Sequence, residues 1–138
     1  MRLMLDTCVV IDLLTDVESL SKGALDIIDD TENMLFASCE TMRELVVHFN
    51  NKKLLSRLFK NSTEVLQAVE NELGIEFLPI RRDVGYIYSR LQLNEAQEHN
   101  DPSDHLIIAH AITERLPLMS SDTKFSFYRN QGLELIEY

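Results

Sequence analysis

The stretch Arg2-Leu3-Met4-Leu5-Asp6-Thr7 decides the fold. An apolar run too short for a helix closes on an acid, as a buried strand does before its chain turns into the next element. The same pattern recurs at Met34-Leu35-Phe36-Ala37, where Ser38 follows as a good helix N-cap. Further short strands are predicted at 76–80, 116–120 and 133–137, each bounded by turn or helix-start residues. Between them the period changes to that of a helix. Met42, Leu45, Val46 and Phe49 mark one over 41–49, and Leu54, Leu55 and Leu58 mark a second over 51–60. Val65, Leu66 and Val69 mark a third over 63–73, and two more are expected at 83–93 and 102–115. In the last, Leu106, Ile107, Ile108, Ala109, Ala111 and Ile112 are nearly continuous and imply deep burial. Strands alternating with helices make an α/β fold with a mainly parallel central sheet sandwiched by helices. The polar stretch 94–100 reads as an exposed loop.

Length and composition narrow the classes. At 138 residues, one domain over 1–138 can bury one core. A composition of 45% hydrophobic and 26% charged residues, with 4 Gly and 3 Pro, excludes a disordered or fibrous chain. Asp6 and Asp12 interrupt the N-terminal apolar run before a signal-peptide core forms, and no stretch approaches the roughly 18 apolar residues of a membrane span. We therefore expect a cytoplasmic protein with no membrane partner. Cys8 and Cys39 lack Cys-x-x-Cys spacing and read as buried, reduced thiols. The net charge of -10 runs against nucleic-acid binding, unless some carboxylates hold divalent cations that invert the local charge, or a basic partner completes the assembly.

The acids themselves suggest the first of these. In an open α/β sheet, ligands bind beyond the carboxyl ends of the strands. Asp6 and Asp122 both follow expected strands, so parallel strands would put them on one rim. Glu44 lies in the helix after the second strand, and Asp104 in the first turn of the helix that opens at Asp101-Pro102. Clustered carboxylates without a Cys or His cluster make an oxygen site suited to Mg²⁺ or Mn²⁺ and to phosphoryl transfer. Each acid also has a plainer reading. Asp6 can cap the next helix, Asp101 and Asp104 fit ordinary capping and helix-dipole roles, Glu44 can be a solvated helix residue, and Asp122 can open a turn. The histidines His48, His99, His105 and His110 read as scattered relative to these acids and outside any metal site, with His99 the one placed to order the loop.

Taken together, Leu3-Met4-Leu5-Asp6-Thr7, Ser38-Cys39-Glu40-Thr41-Met42-Arg43-Glu44, His99-Asn100-Asp101-Pro102-Ser103-Asp104, Leu106-Ile107-Ile108-Ala109-His110-Ala111 and Leu118-Met119-Ser120-Ser121-Asp122 resemble the PIN-domain family. Within it they are most similar to the toxin-like ribonucleases of bacterial toxin–antitoxin pairs, the VapC-like group. The resemblance implies a three-layer α/β/α sandwich that hydrolyses RNA phosphodiester bonds with Mg²⁺ or Mn²⁺. It makes Asp6, Glu44, Asp104 and Asp122 the metal-binding acids, supported by Thr7, Asp101 and Ser120. It also implies a cognate antitoxin and a homodimer. Ser120 replaces the usual Thr of the late motif, and His105 stands where a basic residue is common. Lys53, Arg57 and Lys60 fall on neighbouring helical turns and are the candidate RNA-phosphate contacts.

Rival chemistries fit less well. A haloacid-dehalogenase phosphatase needs an Asp two residues after its first, where Cys8 stands, and a receiver domain needs paired acids near the first strand and a Lys after the last. The remaining alternative is a PIN-like module that binds RNA or protein without cutting; retention of all four acids argues against it.

Overall fold

The computed structural model describes residues 1–51 and 54–138. Its centre is a sheet of β1 (Arg2–Leu5), β2 (Met34–Ser38), β3 (Ile75–Leu78), β4 (Leu118–Ser120) and β5 (Leu135–Glu137), all parallel, in the order β3-β2-β1-β4-β5. The order reverses at β1, which pairs with β2 on one side and β4 on the other. The expected α/β sandwich is therefore the fold observed.

Strand alternation fixes the layers. Leu3, Leu5, Leu35, Ala37 and Met119 face one side, where they pack with Val9 and Val10 of α1 (Thr7–Thr15), Ala24 of α2 (Lys22–Asp29), Leu45 of α3 (Cys39–Asn50), Leu55 of α4 (Leu54–Leu58) and Val65 and Val69 of α5 (Ser62–Asn71). The intervening Met4, Phe36 and Leu118 face the other side. There they meet Ile107, Ile108 and Ala111 of α7 (Pro102–Glu114) and Phe125 and Tyr128 of a 3-10 turn, Thr123–Gln131. A two-residue period in each strand thus buries both faces, which is why the strands read as unbroken apolar runs. Helix α6 (Arg82–Arg90) lies against α7.

Side-chain caps set where the helices begin. Ser38 Oγ accepts from Glu40 N–H at 3.1 Å, Ser21 Oγ from Ala24 N–H at 3.1 Å, and Asp101 Oδ1 from Ser103 N–H at 2.9 Å with Pro102 at the first helical position. Two helices depart most from the expected bounds. The run predicted over 51–60 is helical at Leu54–Leu58 among the described residues, and α6 stops at Arg90 rather than 93. The turn Thr123–Gln131 carries no clear apolar period and was not expected; α2, whose Ala24, Leu25, Ile27 and Ile28 do follow a helical spacing onto the core, was likewise not expected.

The segment 94–100 is exposed as expected except at two residues, Asn94 and His99, each only 3% exposed and pinned to the fold. Asn94 N–H donates to Tyr128 Oη at 3.1 Å, and its side-chain amide donates to Gln97 Oε1 at 3.0 Å and Lys124 O at 3.3 Å. Polar composition signals exposure only where the polar groups lack partners within the fold. Among the described residues, no helix is long and apolar enough to cross a membrane.

Candidate metal centre

The reversal of strand order at β1 opens a cleft beyond the carboxyl ends of β1 and β4, where α/β sheets bind ligands. It has a volume of about 400 Å³ and is lined by Asp6, Glu44, Asp104 and Asp122, together with Thr7, Cys8, Ile11 and Ser121. All four candidate acids, drawn from positions far apart in sequence, meet there.

Each carboxylate is held in a different way. Asp6 ends β1 and caps α1, Oδ1 accepting from Thr7 N–H at 2.8 Å, while Oδ2 accepts from Ser120 Oγ at 2.8 Å and faces Cys8 Sγ at 3.4 Å. The capping role and the site position coincide, because a helix N-cap at a strand end lies on the rim. Glu44, one turn into α3, accepts from Thr7 Oγ1 at 2.5 Å. Thr7 spends its proton on Glu44, so the 2.9 Å contact with Thr41 Oγ1 must be donated by Thr41. Asp122 Oδ1 caps the turn Thr123–Gln131 by accepting from Lys124 N–H at 2.9 Å. Asp104 Oδ2 lies 3.1 Å from His99 Nε2. Asp101 is exposed and serves as the cap of α7.

Gathering these groups raises their affinity for protons. Asp104, its side chain 19% exposed, is pushed up to about 8 by desolvation and then by the charges of Asp6, Asp101, Glu44 and Asp122. Burial raises Asp6, offset in part by the donors Ser120, Thr7 and Cys8. Burial also raises Glu44, against the Thr7 hydrogen bond. The protein supplies little countercharge: Arg43, whose field reaches Glu44 and Asp101, is itself clamped by Glu40 through bonds of 2.9 and 2.7 Å. A cleft of desolvated, mutually repelling oxygens fits a hard divalent cation.

Two expectations need correction. His99 is not remote from the acids: ligand atoms of His99, Asp104 and Asp122 lie within 4.8 Å of one another. Its signal in sequence was proximity to Asp104 in one loop, but its anchor, Tyr128, lies 29 residues away in a turn without a readable period. Cys8 and Cys39 are free thiols, yet only partly buried, and Cys8 lines the acidic cleft, where burial and Asp6 push its thiol up to about 12. Of the basic candidates, Lys53 lies outside the described residues, while Arg57 and Lys60 are exposed.

Comparison with known proteins bears on the same region. Residues 3–131 match the family model of the PIN domain. Among solved structures, the chain is similar to VapBC2 from Rickettsia felis bound to a DNA fragment from its promoter, with a TM-score of 0.74 and 19% identity, covering 99% of this chain and 98% of that one. VapBC-1 from nontypeable Haemophilus influenzae gives a TM-score of 0.71 at 19% identity, again covering 99% and 98%. VapBC-5 from Mycobacterium tuberculosis, of the VapBC family of toxin–antitoxin systems, gives 0.67 at 20% identity, with 99% and 98% covered. No curated protein matches the chain. Likeness at this level of identity establishes a shared fold.

Proposed function

Because the chain belongs to the PIN-domain family, matching it over residues 3–131, we propose that it is a divalent-metal-dependent endoribonuclease, the toxin of a toxin–antitoxin pair. The observation that carries this reading is the convergence of Asp6, Glu44, Asp104 and Asp122 in one cleft at the point of strand reversal. These acids would hold Mg²⁺ or Mn²⁺. When bound, such a cation activates a water and neutralises charge on the scissile phosphate.

The chain's own residues supply the rest. Thr7 bridges the two carboxylates, its N–H donating to Asp6 Oδ1 and its hydroxyl to Glu44, which fixes their relative positions. Ser120 ties Asp6 to the loop of Asp122. Mutual repulsion disfavours the fully ionised empty cleft, so a dication relieves strain that the fold has built in. The same charge balance lets a chain of net charge -10 meet an RNA phosphate. Arg57 and Lys60 are the exposed cations we assign to more distant phosphates.

A partner is proposed because the similar solved structures are VapBC proteins, a family of toxin–antitoxin systems. A second depression shares Thr7, Ile11 and Glu44 with the cleft and adds Val47 and His48, and Val47, Leu54 and Leu58 are exposed apolar side chains on α3 and α4. An antitoxin segment lying on this wall would cover the acids. Action in the cytoplasm, as a homodimer, completes the proposal.

The test is incubation of the purified chain and its Asp104→Asn variant with a panel of structured RNAs in Mg²⁺, Mn²⁺ or EDTA, followed by sequencing of fragment ends. Metal-dependent cleavage lost in the variant supports the nuclease. Equal cleavage by both proteins, or none in any metal, removes it and leaves a binding module.

A further inference from the structure

We propose that His99 is a positioning residue for Asp104: held by Tyr128, it donates Nε2–H to Asp104 Oδ2 and fixes how that carboxylate is presented to a cation. The inference rests on the metal-site reading above and assigns it a part that the acids alone do not contain.

The hydrogen-bond chain favours one tautomer. Tyr128 Oη has one proton and already accepts from Asn94 N–H at 3.1 Å. Assigning its proton to its other neighbour, His99 Nδ1 at 2.8 Å, gives that contact a donor and an acceptor. Nδ1 is then an acceptor, and the ring proton sits on Nε2, facing Asp104 Oδ2 at 3.1 Å. With Nε2 protonated, His99 offers no lone pair to a metal, despite lying among the possible ligands. It acts through Asp104.

The ring has little freedom to leave this geometry. It is 3% exposed, packed edge-on to His105 with centroids 4.6 Å apart and against Phe125 and Tyr128 at 5.5 Å. His105 Nε2 reaches back to the His99 carbonyl at 2.8 Å, so the first turn of α7 grips the loop that precedes it. Tyr128 belongs to the turn that Asp122 caps. The Tyr128-His99-Asp104 chain thus couples the segment bearing Asp122 to the helix bearing Asp104, setting the separation of two acids whose backbones do not pair. Partners of this kind orient ligands, and losing one weakens metal binding by about 10- to 100-fold.

Titration with Mn²⁺, followed by loss of the free-ion paramagnetic resonance signal, tests the proposal on the wild-type chain, His99→Leu, His99→Gln, Tyr128→Phe and Asp104→Asn. Thermal melting in EDTA is recorded alongside. The expected result is Mn²⁺ affinity about 10-fold or more weaker in His99→Leu and Tyr128→Phe, and largely recovered in His99→Gln, whose amide N–H can replace the Nε2 donor. A second arm, ring nitrogen-15 shifts of His99 in the wild-type chain with Mg²⁺, should show a protonated Nε2 and an unprotonated Nδ1. Unchanged Mn²⁺ affinity in His99→Leu, with Asp104→Asn still defective, overturns the positioning role and leaves the metal site standing. An unprotonated Nε2 with Mg²⁺ bound overturns the tautomer and the role with it. Absence of specific Mn²⁺ binding in the wild-type chain overturns both this inference and the proposed function.

Discussion

Ser120 Oγ donates a 2.8 Å hydrogen bond to Asp6 Oδ2 across 114 positions of sequence, and accepts one of 3.1 Å from the backbone N–H of Asp122. A single hydroxyl thus joins the ends of two neighbouring strands and two acids of the cleft. Ser120 is fully buried, so no water can take its place without rearrangement.

Replacing Ser120 with Ala should therefore affect stability and binding together. Asp6 loses a donor and the Asp122 N–H loses an acceptor in a buried setting, at about 1–3 kcal/mol for groups left unsatisfied. The melting temperature should fall and Mn²⁺ affinity should weaken, whereas Ser120→Thr keeps the hydroxyl and should restore the affinity. Mn²⁺ titration of the two variants decides it; equal affinities would mean that Ser120 only supports the fold.

Thr7 offers a parallel case on the opposite wall. Thr7→Val preserves shape and backbone but removes the proton given to Glu44 and the oxygen that accepts from Thr41. We expect about 10-fold lower RNA cleavage, together with a lower melting temperature, because the fully buried Thr41 hydroxyl loses its acceptor. A cleavage-rate measurement at saturating Mn²⁺ checks this, and full activity there would confine Thr7 to supporting the fold.

How much of this was legible in the sequence depended on the range of the interaction. Asp6 and Asp122 could be placed because strand ends are marked by local composition, and parallel pairing puts strand ends on one rim. Glu44 could be assigned to a helix by period, but its contact with Thr7 needs β1 beside β2, a tertiary fact. His99 and Asn94 were read as exposed because polarity was the only local signal there; their burial is created by Tyr128, from a turn whose apolar residues follow no fixed period. Cys8 was read by its apolar neighbours, while its side chain turns towards Asp6.

Repulsion in the cleft leads to a prediction about the chain freed of metal. Asp104 titrates near 4 when unfolded but is raised to about 8 in the fold. Its favourable contribution is fully present below pH ~4 and is lost as pH climbs to about 8, because the unfolded chain ionises first. Asp104→Asn should accordingly raise the melting temperature in EDTA at pH 8.5, by about 3 °C for each ~1 kcal/mol relieved. With Mn²⁺ present the order should reverse, since the variant forfeits the stabilisation that a bound ion gives the wild type. Lower stability of the variant in both conditions would show that Asp104 is held by favourable contacts rather than strained by its neighbours.

His110 provides the opposite pH dependence, away from the cleft. It is fully buried in α7, and its Nδ1 lies 2.8 Å from Ser38 Oγ. Ser38 Oγ also accepts from Glu40 N–H at 3.1 Å, and His110 Nε2 lies 3.8 Å from Glu114 Oε1, beyond hydrogen-bond reach. Desolvation pushes His110 below the ordinary range, while Glu114 on the same helix, Asp83 on α6 and the Pro79 backbone pull weakly the other way. A lowered pKa means that the unfolded chain takes up a proton that the fold refuses. The contribution of His110 is therefore intact above pH ~6.5 and is lost as pH falls towards the depressed value, at no more than ~1.4 kcal/mol per pH unit. His110→Asn keeps an acceptor for Ser38 and cannot titrate. Urea unfolding at pH 7, 6 and 5 should show the wild type losing more stability than the variant, with the other titrating groups cancelling in the difference. Parallel losses in the two proteins would mean that His110 is protonated within the fold, paired with Glu114, and that the acid sensitivity has another source.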